Sequence, residues 1–166
     1  MRAPAVDGVT VRSGLQYAYL VVVLVVVSSG VSLLAKAEIL IPAAAPFGLI
    51  LIAALFWLAP RPQLVGWGLF TLWLSTTYLT LGGIEIAATL VVAGLAVLGV
   101  LRSSWFLVAA WVIHPVWDLV PRQLPDLLHD LPVACLIYDL LIAGYLAWRS
   151  RRGTFAGAVM GRRTRT

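Results

Sequence analysis

The sequence predicts an all-α fold, a polytopic bundle of transmembrane helices with both termini on the cytoplasmic side. Three observations predict it. The chain of 166 residues is 61% hydrophobic and only 11% charged, where a soluble domain carries about 25% charged residues. Its apolar residues fall into six runs, each long enough to cross a bilayer at 1.5 Å rise per residue. Its basic residues gather on one side of those runs.

The first run, Gly14–Leu34, spans 21 residues. That is too long for the apolar core of a signal peptide, although Arg2 and Arg12 precede it and Ala35-Lys36-Ala37 resembles a cleavage site. It is expected to be a retained first helix. The second run, Ile39–Ala59, holds Pro42 and Pro46 in its first half, so a kink or a late start is expected there. Pro60-Arg61-Pro62 separates it from the third run, Leu64–Leu81. Gly82-Gly83 introduces the fourth, Ile84–Leu101, and Arg102-Ser103 the fifth, Ser104–Val120. A polar loop, Pro121–Asp130, leads to the sixth, Leu131–Trp148. Asp130 before Leu131-Pro132 reads as an N-cap with proline in the first turn. The runs lack the alternation of a lipid-embedded β-barrel. One domain over residues 1–150 and a basic cytoplasmic tail over 151–166 account for the whole chain.

Orientation follows from the arginines. With six spans, the inner segments carry Arg2, Arg12, Arg61, Arg102 and the six arginines between Arg149 and Arg165. The outer segments carry only Lys36 and Arg122. This is a positive-inside pattern, and it places the tail against anionic lipid headgroups of a bacterial cytoplasmic membrane. Membrane lipids are therefore the expected partners. Basic residues without interleaved aromatics do not make a nucleic-acid surface. The single cysteine, Cys135, excludes an intrachain disulfide and a CxxC metal motif; its apolar run suits a small buried thiol.

The stretch HPVWDLVPRQLPDLLHD, residues 114–130, holds both histidines and three of the seven acids. Under the six-span topology His114 lies about 9 Å below the outer end of the fifth helix, and Asp139 about 12 Å below the same surface on the sixth. His114 and Asp118 are four apart and share a helix face. Glu85 opens the fourth helix at the same end, Glu38 closes the first outer loop, and Asp126, His129 and Asp130 lie in the last one. Every acid except Asp7, and both histidines, fall in the outer half.

Each of these groups has an ordinary structural role open to it: a cap for Asp130, solvated loop charges for Asp126 and Glu38, a packing pair for His114 and Asp118. Asp139 resists that treatment, because a carboxylate at such depth costs several kcal/mol unless it is paired, protonated or wetted. Its expected partner is His114. The set His114, Asp118, Asp139 and Glu85 suits acid/base catalysis. His114, Asp118, His129 and Asp139 suit a divalent metal cofactor, since imidazole and carboxylate are fitting ligands. Trp111 and Trp117 lie near enough to line an apolar substrate cavity, with ordinary helix packing as their structural alternative. Signatures such as HExxH, GxSxG and phosphate-binding glycine loops do not occur.

The segment HPVWD…HDLPVACLIYD resembles small uncharacterised bacterial integral membrane proteins that carry a histidine and a Trp-Asp pair on a late helix and an aspartate on the last. The resemblance covers the last third of the chain and implies no particular activity. Three classes stay open on the residues alone: an enzyme acting on a lipid-like or isoprenoid substrate, a proton- or ion-coupled transporter or channel, and an assembly subunit. An enzyme predicts a pocket closed beneath His114 and Asp139. A transporter predicts polar groups continuing inward, for which Thr71, Ser75, Thr76, Thr77 and Thr89 are the candidates.

Overall fold

A computed structural model describes residues 7–36, 39–76, 79, 83–120 and 129–159, with backbone alone for 7–12 and 35–36. The described residues form six α-helices: α1 Asp7–Lys36, α2 Leu40–Phe56, α3 Pro60–Thr76, α4 Ile84–Leu101, α5 Ser104–Asp118 and α6 Leu131–Arg151. The all-α class is as expected, and α4 has the predicted bounds. Three helices are long and apolar enough to cross a membrane: Ser13–Leu34 of α1, α4 and α6. α2 is apolar but shorter, with 17 residues; α5 has only 15.

Where the bounds moved, the prolines explain it. Pro60 and Pro62 begin α3 rather than separating it from α2, because a first-turn N–H has no intrahelical acceptor to lose. Pro42 falls in the first turn of α2 for the same reason, and the helix runs on through Pro46. Gly83 adopts φ +56° before α4, a left-handed conformation that a side chain would strain. The Ser103 hydroxyl accepts from Trp105 N at the start of α5.

α6 ends in a paired left-handed cap. Gly153 has φ +68°, its N–H donates to Ser150 O, and Thr154 N donates to Arg149 O. Arg149 and Arg151 sit in the last turn, where cations complement the helix dipole. Beyond α6, at the start of the basic segment that follows residue 150, Phe155, Ala158 and Val159 are buried.

α6 is the central element. It packs along α5 on one side and α2 on the other; α5 packs along α4, and α4 along α3. α1 leans on α2 and α3 from outside. Close approach requires glycine at the α4–α5 contact, where a Cβ on Gly99 would lie 2.7 Å from Leu107 Cβ and 2.9 Å from Leu107 N. The core is built from Leu51, Leu55, Trp67, Phe70, Trp111 and Ile142. The outer surface is apolar: Leu15, Val26, Leu90, Val116 and Trp57 are exposed. Gln63, Ser75, Glu85, His114, Asp118 and Asp139 are buried. This inverts the soluble pattern, in which ionisable side chains are rarely buried and large apolar patches are rarely exposed.

Candidate functional site

α5 supplies Trp111, His114 and Asp118, three and four residues apart, all buried toward the neighbouring helices. α6 supplies Cys135, Tyr138 and Asp139 on its buried face. The two helices lie side by side, so the two sets meet. His114 Nδ1 and Asp139 Oδ2 are 2.6 Å apart. Asp118 Oδ2 lies 3.9 Å from the same nitrogen. Asp139 has no solvent exposure at all, and its second oxygen, Oδ1, is buried without a hydrogen-bond partner among the described residues. A carboxylate accepting from Nδ1–H fixes the tautomer of the imidazole and leaves Nε2 as its basic nitrogen.

Glu85, in the first turn of α4, is also buried and accepts a hydrogen bond of 2.7 Å from Trp117 Nε1. A cavity of about 10 Å³ touches Ser75, Thr89, His114 and Trp117. An apolar cleft of about 40 Å³ opens on the other side, between α1, α2 and α6; its lining includes Val31, Leu34, Phe47, Cys135 and Tyr138. Cys135 thus joins the cleft to the polar centre, because one donor atom each from His114, Cys135 and Asp139 lie within 4.8 Å of one another.

Next to this centre the bundle is filled with rings. Trp111 meets Tyr138 edge-on at 5.5 Å and stacks on Phe70 at 6.0 Å. Trp67 meets Trp111 at 6.1 Å and Tyr145 at 5.9 Å. Beyond this aromatic layer lies a second polar network. Gln63, fully buried, donates to Leu55 O and to Tyr145 Oη, each at 2.8 Å. It accepts from Arg149 at 2.9 Å. The Arg149 guanidinium also lies over the rings of Phe56 and Phe155.

Of the predicted residues, the structure brings together His114, Asp118 and Asp139, with Glu85 joined to the same region through Trp117. His129 does not join them. Its side chain is 87% exposed and lies 3.2 Å from Asp130, because it precedes α6 and points away from the bundle that buries Asp139. The side chain of Asp130 occupies the N-cap position without making a capping bond; it faces His129 instead. Glu38, Asp126 and Thr77 lie outside the described residues. Trp111 is a core residue, whereas Trp117 lines the small cavity. Thr71 and Thr76 spend their hydroxyls on carbonyls of their own helix.

Sequence reasoning missed two residues. Cys135 shared a face with Asp139 but read as packing, and Gln63 lay just outside the expected start of the third helix. No curated protein and no solved structure matches the chain. One family model matches residues 37–152, which takes in α2 to α6 with every residue of the centre and leaves α1 outside. The chain belongs to a family of unknown function, DUF6010.

Proposed function

We propose that the chain is a six-span protein of the bacterial cytoplasmic membrane, with both termini inside, and that the His114–Asp139 centre is the active site of an enzyme. Its substrate is a lipid-like or isoprenoid molecule whose polar end reaches the centre from the outer leaflet. The apolar exterior and polar interior support the membrane setting. The arginine distribution supports the orientation.

One observation carries the catalytic reading: a fully buried carboxylate holds an imidazole at 2.6 Å beside an apolar cleft. Asp139 orients His114 and stabilises the imidazolium once it forms, as a carboxylate does behind a catalytic histidine. His114 Nε2 then takes a proton from a hydroxyl or a water and returns it to the leaving group. Asp118 adds a second negative charge beside the ring, and Trp117 ties Glu85 to the same helix. The aromatic layer counts against the ion-coupled transporter, since it interposes rings between the two polar networks.

The test is genetic and chemical together. Chromosomal deletion is compared with Asp139→Asn and His114→Ala, and total lipid extracts are profiled by mass spectrometry. The expected result is one lipid-like species that accumulates in all three strains and disappears when the wild-type chain is restored. Variant strains whose lipids match the wild type would overturn the assignment.

A further inference from the structure

The donor atoms around Asp139 differ in kind. Cys135 and Asp139 lie one turn apart on α6, and His114 faces them from α5. All three are buried, and their donor atoms fit within 4.8 Å. We infer that His114, Cys135 and Asp139 hold a divalent metal ion, with zinc the ion that best suits them. Three considerations converge on it.

The first is the donor set. Thiolate, imidazole and carboxylate are all zinc ligands, and a three-residue site with an open fourth position is the usual form of a catalytic zinc. A thiolate disfavours magnesium and calcium, which prefer oxygen donors.

The second is distance. Zinc–ligand bonds of about 2.0–2.3 Å in a tetrahedron set neighbouring donors roughly 3.3–3.8 Å apart. The present His114–Asp139 separation of 2.6 Å must widen, and the widest separation, up to 4.8 Å, must close. The shifts required are on the order of 1 Å, within reach of side-chain torsions.

The third is satisfaction of buried charge. Asp139 Oδ1 accepts no hydrogen bond among the described residues and is sealed from solvent, a costly state for a carboxylate oxygen. A dication bound by one thiolate and one carboxylate is a neutral unit, the form a low-dielectric bundle tolerates best. On binding, Cys135 loses its thiol proton, while His114 ligates as a neutral imidazole and keeps one ring proton, which moves to Nε2 when Nδ1 takes the metal.

The assignment deepens the proposed active site but does not depend on its being catalytic. If the site is catalytic, the roles shift when metal is bound: His114 and Asp139 become ligands, and Asp118, 3.9 Å from His114, remains as the carboxylate that takes the proton.

The experiment uses the full chain purified in detergent without chelators. Metal content is measured for wild type, Cys135→Ala and Asp139→Asn, each checked for helical circular dichroism and monodisperse elution. Wild type should carry one zinc per chain, and each variant at least about tenfold less. Metal-stripped wild type titrated with Co(II) should develop a thiolate-to-cobalt charge-transfer band with strong tetrahedral d–d absorption. This readout needs no variant to fold. Absence of the band, or zinc retained in folded Cys135→Ala, would overturn the metal site. Altered lipids in the Asp139→Asn strain with no cobalt band would also overturn it, while leaving the acid/base enzyme standing. A cobalt band with unaltered lipids would uphold the metal site and remove the lipid reaction.

Discussion

His114 and Asp139 are 25 residues apart in the chain and 2.6 Å apart in space, joined across the α5–α6 interface with no water-exposed edge on the carboxylate. A buried pair of this kind is costly to break from one side, because the remaining group keeps its desolvation without its partner. His114→Leu and Asp139→Leu should each destabilise the protein by about 3–5 kcal/mol. The double variant should cost less than the sum, with a coupling of about 1.5–3 kcal/mol. Reversible unfolding in mixed micelles measures all four corners of the cycle; additive effects would mean that the two side chains do not act as a pair.

Gln63 uses its amide on three partners that belong to α2 and α6. Gln63→Leu keeps the volume and removes the Gln63 bonds to Leu55 O, Tyr145 Oη and the Arg149 guanidinium. A loss of about 2–4 kcal/mol is expected. Thermal unfolding in detergent reads it directly, and an unchanged midpoint would show the network to be dispensable.

Gly99 separates two kinds of glycine in α4. A Cβ there would strike the backbone of α5 at Leu107, whereas a Cβ on Gly94 would meet nothing within 4 Å. Gly99→Ala should therefore cost about 1–3 kcal/mol, and Gly94→Ala should be neutral or stabilising by up to about 1 kcal/mol. Equal midpoints for the two variants would show that α4 and α5 are not in close contact.

Trp111 is the ring that touches both Tyr138 and Phe70 beside the centre. Truncation to alanine opens space between the two polar networks. Proteoliposomes of the wild type should hold a proton gradient as well as protein-free vesicles do, while Trp111→Ala should leak measurably faster. A wild-type protein that dissipates the gradient would favour the transporter class.

The C-terminus is expected on the cytoplasmic side. A green fluorescent protein fused after Thr166 should fluoresce, and an alkaline phosphatase fused at the same place should be inactive. The reverse pair of results would invert the topology.

The helices were legible because the apolar runs are long and the breakers few. The centre was legible in part because helical spacing fixes which residues share a face: four residues join His114 to Asp118, and a single helix–helix contact then brings in Asp139. Cys135 was not legible as part of it. A lone thiol in an apolar run looks like filler until its neighbours across the interface are known. Gln63 was hidden by Pro60 and Pro62, which read as a linker although both fit within a helix's first turn. His129 misled for the opposite reason. Its place in the last outer loop, among the other titratable groups of that end, made it a candidate metal ligand, but a residue before a helix start is not held to a helix face, and its side chain is exposed.

The ring-filled stretch of the bundle has an electrical meaning. It sets the rings of Trp111, Phe70 and Trp67 beside the His114–Asp139 pair, on the way to the network of Gln63 and Arg149. In the proposed orientation, a proton borrowed at His114 comes from the outer compartment and goes back to it. If the centre turns over as proposed, that exchange moves no net charge across the bilayer.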